Sequence, residues 1–120
     1  MGACYSVVIK IRSQNERGVI SATRDYAEAC NCLSEMATDS IDEIVHFLLA
    51  DHQSPVYKTE RDGWTCYDNA FSASYGWEYI MLDWFRAVAQ FLEDDSALIV
   101  YPDSGRDELI VRNGEAITIR

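Results

Sequence analysis

Lysine is nearly absent from this chain. Lys10 and Lys58 are the only two among 10 basic residues, set against 20 acidic ones and a formal charge of -10. Such a field repels nucleic acid and anionic membrane, because binding either one places cations against phosphates. It favours basic partners and fast, salt-sensitive association with them. Proline is scarce too, with only Pro55 and Pro102, each beside an expected element boundary. No apolar run is long enough to span a membrane as a helix. The N-terminus lacks a basic stretch followed by an apolar one, so a secretory leader is not expected and a cytoplasmic location is.

Metal and phosphate signatures are missing as well. Cys4, Cys30, Cys32 and Cys66 include no C-x-x-C pair, and His46 and His52 stand six apart, off a common helical face. The cysteines have no framework spacing, and all four are expected as reduced thiols. The six glycines are scattered and build no phosphate loop. There is no G-x-S-x-G elbow. Basic stripes interleaved with aromatics, the mark of nucleic-acid modules, do not occur. No cofactor is implied.

What the chain does have is core material. Apolar residues make up 48% and aromatics 12% of its 120 residues, which fits one domain over 1–120. A domain of this size buries roughly two-thirds of the surface its unfolded chain exposes. Tyr5, Val7, Ile9 and Ile11 alternate with polar neighbours, which predicts a strand with one buried face. Residues 13–18 read as a polar loop. Tyr26, Cys30, Leu33 and Ala37 recur at helical spacing, giving a first helix over about 23–36. Ser40 and Glu43 form a capping-box pattern before Ile44, Val45, Leu48 and Leu49, so a second helix runs to about Asp51.

Beyond Pro55, residues 56–60 and 64–67 around Arg61, Asp62 and Gly63 read as a hairpin whose second strand continues toward Phe71. Met81, Trp84, Phe85, Val88, Phe91 and Leu92 mark the apolar face of a third helix that starts near Ser74 to Gly76. Three strands follow, over 97–101, 108–112 and 115–120. The last two are joined by Asn113-Gly114, the preferred pair for a tight hairpin turn with positive φ at both positions. That turn pairs Arg112 with Glu115, Val111 with Ala116 and Ile110 with Ile117. The order is β-α-α-β-β-α-β-β-β. The expected fold class is α+β: one mainly antiparallel sheet of five or six strands, with helices packed on one face.

Few constellations point to chemistry. Asp103, Asp107 and Glu108 crowd one turn, with Glu93, Asp94 and Asp95 upstream. Pro102-Asp103 and Glu108 suggest a PD…E-x-K nuclease core, but Leu109 and Ile110 stand where the lysine should be, so the electrophile is missing. The alternating acids of a calcium loop are also absent. His46 lies one turn after Asp42, an arrangement that makes a surface hydrogen bond on a helix. A small enzyme would have to use His46 or a cysteine with carboxylates gathered in a pocket. Residues 64–79 are dense in aromatics, and Trp64 and Trp77 lie near turns, where such side chains serve as interface anchors. Met1-Gly2 with Ser6 fits a myristoylation pattern. It overlaps the first strand, which argues against lipidation.

The segments Phe71-Ser72-Ala73-Ser74-Tyr75-Gly76-Trp77-Glu78, 91–96, 101–105 and 113–115 resemble parts of small acidic proteins of bacteria and their phages and mobile elements. The resemblance spans roughly the C-terminal half and brings no activity with it. It implies a phage or mobile-element setting, where small acidic α+β proteins include anti-CRISPR and antirestriction inhibitors. The expected function is therefore a non-catalytic module that binds a basic, nucleic-acid-binding protein and no nucleic acid itself. Glu93, Asp94, Asp95, Asp103, Asp107 and Glu108 would face the partner, with Trp64 and Trp77 as anchors. An immunity- or antitoxin-like binder, or a self-associating domain, is the alternative.

Overall fold

The computed structural model describes residues 2–30, 38–50, 56–101 and 107–119. Three helices and one six-stranded antiparallel sheet form an α+β fold. The elements are β1 (Gly2–Arg12), α1 (Glu16–Cys30), α2 (Ile41–Leu48), β2 (Tyr57–Arg61), β3 (Trp64–Ser74), α3 (Tyr75–Val88), β4 (Ala97–Tyr101), β5 (Asp107–Arg112) and β6 (Glu115–Ile119). Across the sheet the order is β2-β3-β1-β4-β5-β6, so β1 lies in the middle.

Alternation fixes which face is covered. Tyr5, Val7, Ile9 and Ile11 are all buried, and their cross-strand partners Phe71, Asn69, Tyr67 and Thr65 on β3 are buried with them. Leu98 and Val100 on β4, then Leu109 and Val111 on β5, extend this layer. Tyr5 and Phe71 stack with ring centroids 5.3 Å apart. All three helices lie on this side. Met81, Trp84, Phe85 and Val88 of α3 are buried, as are Ile41, Ile44, Val45 and Leu48 of α2.

Three buried polar groups fix how the helices sit. Trp84 Nε1 donates to Thr23 Oγ1 at 2.9 Å, and that hydroxyl donates on to the Val19 carbonyl at 2.7 Å, tying α3 to α1. Asn69, an amide inside the sheet layer, donates to the Leu49 carbonyl at 2.8 Å and so satisfies the C-terminal end of α2. Ser40 caps α2 by accepting from the Glu43 N–H at 3.2 Å, as its sequence pattern predicts.

The predicted elements recur with shifted ends. The β5–β6 hairpin has the expected register, with Asn113 at φ 53° and Gly114 at φ 78°. The β2–β3 turn uses only Asp62 and Gly63, since Arg61 already pairs with Trp64, and β3 runs on to Ser74. The larger correction concerns α1, which begins at Glu16 rather than near Thr23. Residues expected as loop are helical, and Gly18 among them lets the helix pass close beneath a ring. A Cβ at Gly18 would sit 2.4 Å from Phe91 Cδ1. The expected end of that helix, over 31–36, falls outside the described residues.

The cysteine expectation also needs correcting. Cys4 and Cys66 are free thiols, whereas Cys30, half-buried at the end of α1, is disulfide-bonded. Among the described residues no helix is long and apolar enough to cross a membrane.

Candidate functional site

The acids singled out in the sequence separate into two places. Glu93, Asp94 and Asp95 lie in the segment that leads into β4, at the Lys10 end of β1. The Glu93 N–H donates to the Lys10 carbonyl at 2.9 Å, and the Lys10 N–H donates to Ser96 Oγ at 2.9 Å. On the other side, the Val111 N–H donates to the Ser96 carbonyl at 2.8 Å. This segment therefore stitches β1 to β5. Its carboxylates have partners within the chain. Glu93 pairs with Arg12, Asp95 with Arg112 at 2.6 Å, and Asp94 accepts the Asn113 N–H at 2.9 Å in the hairpin turn. Trp64 is at the same end of the sheet, half-buried, with the Arg61 guanidinium over its ring at 5.9 Å.

Asp107 and Glu108 stand at the opposite end of β5. With Glu78, Tyr79, Leu82 and Arg86 of α3, Leu109 and Thr118, they line a recess of about 340 Å³. Asp103 and the Trp77 side chain lie outside what is described. The expected single acidic surface is thus divided between two ends of the sheet.

A second recess, of about 360 Å³, forms where α1, α2, β2 and β3 meet, and nothing in the sequence pointed to it. Glu16 comes from the first turn of α1, Asp39 and Asp42 flank the start of α2, and Glu60 projects from β2. One ammonium, Lys58, lines the recess with them, 3.1 Å from Asp42 and 3.2 Å from Glu60. Asp39 also meets Arg24 at 3.3 Å on the outer side. At the floor, Tyr67 donates its hydroxyl to Asp42 Oδ1 at 2.7 Å. That bond, more than the nearby Lys58, holds the Asp42 carboxyl below its ordinary range, while burial and then the Asp42 bond push the Tyr67 phenol up. The same contact with Asp42 raises the Lys58 ammonium. At neutral pH the recess therefore holds ionised Asp42, a neutral phenol and a charged lysine.

No protein-family model, curated protein or solved structure matches this chain.

Among the described residues, His46 and the free thiols Cys4 and Cys66 do not converge. His46 is exposed on α2, its Nδ1–H donating to the Asp42 carbonyl at 2.8 Å, and it lines neither recess. Cys4 and Cys66 fall at positions of β1 and β3 that face away from the helices, so the sheet separates them from His46. Burial raises the Cys66 thiol, which disfavours the thiolate. Among the described residues no group of three or more His, Cys, Asp or Glu is placed to hold a metal ion.

Proposed function

We propose that this chain is a binding module for a basic protein, and that the partner's Arg or Lys side chains dock in the recess of Glu16, Asp39, Asp42 and Glu60. The observation that carries the reading is the charge count there: four carboxylates line the recess against a single lysine. Tyr67 and Ile41 supply an apolar wall for the stem of a long cationic side chain. The recess beside Glu78 and Asp107 offers a second such contact on the same side of the sheet. The net charge of -10 draws a cationic partner in from a distance.

A protein that presents Arg and Lys to nucleic-acid phosphates is the partner class that fits. Occupying those cations would inhibit it, in the manner of anti-CRISPR or antirestriction proteins. Exposed ion pairs each contribute only about 0.2–1 kcal/mol, so the electrostatic part acts mainly on the rate of association.

Affinity capture from bacterial lysate at low and high salt, followed by association kinetics with the captured protein, tests the proposal. A basic partner retained at low salt should bind Glu16→Gln/Asp39→Asn/Glu60→Gln at least about tenfold more slowly than wild type. An on-rate that is indifferent both to salt and to these three changes would sink the reading.

A further inference from the structure

The helices cover one face of the sheet, and among the described residues nothing covers the other. Cross-strand pairing places Val8, Ala97, Ile110 and Ile117 in one row across four strands of that face. Ile99 and Ile119 lie in the next row. Ile117 is 43% and Ile119 41% exposed, while Val8, Ile99 and Ile110 are half-buried only by their neighbours. An antiparallel sheet that faces water normally shows polar residues there. A continuous apolar band across four strands marks a surface that meets another protein.

Charge decides which protein. At one end of this face stand Lys10, Arg12, Arg61 and Arg112, and its acids are Asp68, Glu108 and Glu115. Glu93 and Asp95, paired with Arg12 and Arg112 at that end, bring the acids to five against four cations, so the face is close to neutral although the chain as a whole carries -10. A second copy can therefore approach face to face with far less of the self-repulsion that would oppose contact elsewhere. The pattern is also self-complementary. A twofold axis lying across the strands, through the row of Val8, Ala97, Ile110 and Ile117, sets that row on itself, with Asp68, its continuation on β3, meeting Asp68 of the other copy at the margin. It also carries Glu108 of each copy to the Arg112 end of the other.

We infer that two copies of this chain stack through the open faces of their sheets, forming a sandwich whose shared layer is the apolar band. Six strands at ~4.8 Å spacing and five residues at ~3.4 Å rise give roughly 500 Å² of flat face per copy. A standard interface buries about 800 Å² per partner, so the dimer is a weak one. The recess of Glu16 and Asp42 lies on the opposite, helix-covered side and stays open in it. Failure of the dimer would therefore leave the proposed partner site untouched, and the converse holds.

Sedimentation equilibrium of the full chain from about 1 to about 200 µM reads the mass directly. The expected result is a rise from monomer toward dimer. Ile110→Lys and, separately, Ile117→Lys should each weaken association at least about tenfold while circular dichroism stays that of wild type. Glu108→Arg should weaken it as well, and adding Arg112→Glu should restore it. Tyr79→Lys, on the helix side, should change nothing. A monomer throughout the range overturns the inference. So does a dimer that survives Ile110→Lys, which would mean pairing along the β6 edge or through the helices.

Discussion

The two faces of the sheet are made by the same strands and differ in every physical respect. On β4, Leu98 is fully buried beneath the helices, whereas its neighbour Ile99 is only half-buried on the open side. On β1, the residues turned toward the helices are all buried and apolar, and those turned away run Cys4, Ser6, Val8, Lys10 and Arg12. Alternation alone states that two faces exist. It does not state what covers either of them, and the apolar residues left on the second face are what a single chain cannot account for.

Mutations that separate the two faces make the contrast quantitative. The largest effect belongs to Trp84→Ala. It removes a side chain that is 1% exposed and strands the buried Thr23 hydroxyl without its donor, so a loss of about 3–5 kcal/mol is expected in chemical denaturation. Next comes the matched pair on β4. Leu98→Ala should cost about 2–5 kcal/mol and Ile99→Ala, in dilute monomer, less than about 1.5. Equal costs would mean that the open face is packed like the core.

A pH titration of stability probes the contact at the floor of the recess. Asp42 has its pKa lowered by folding, so its contribution is present above the ordinary carboxylate pKa and is lost as pH falls through the folded value. Tyr67 has its pKa raised, so its contribution is present below about pH 10 and is lost as pH rises beyond it. Asp42→Asn should flatten the acid limb, and Tyr67→Phe should make the alkaline one shallower, with Tyr26 and Lys58, also raised, accounting for what is left. A Tyr67→Phe profile that still falls above pH ~10 as steeply as wild type would refute the assignment. The smallest effect is expected for Arg12→Ala, at most about 1 kcal/mol, because its pairing with Glu93 is largely solvated and screened by salt.

Much of this fold was legible in the sequence, and the reasons are local. Ser40 and Glu43 announce the start of α2 through chemistry four residues long. Asn113-Gly114 sets a hairpin register because only a few residues tolerate its dihedral angles. The start of α1 was missed because the need for Gly18 arises from Phe91, which is far away in the sequence. The recess was missed for the same reason. Glu16, Asp42, Lys58 and Tyr67 sit on four different elements, and no spacing rule joins them. Conversely, the run Glu93-Asp94-Asp95 looked like a free acidic surface, yet these residues are occupied with Arg12, Asn113 and Arg112. A count of charges does not show which cations fold back onto them.

The central position of β1 has a consequence for how the protein is made. Tyr5 pairs with Phe71 on one side and with Val100 on the other, so β1 waits for roughly a hundred further residues before its second neighbour is made. At about 5–20 residues per second, that leaves Val7, Ile9 and Ile11 without their full surroundings for some 5–20 s. A chain stopped before β4 has no way to finish its core. Nascent molecules therefore spend their vulnerable interval with this segment in the open, where chaperones or neighbouring chains on the same message reach it first.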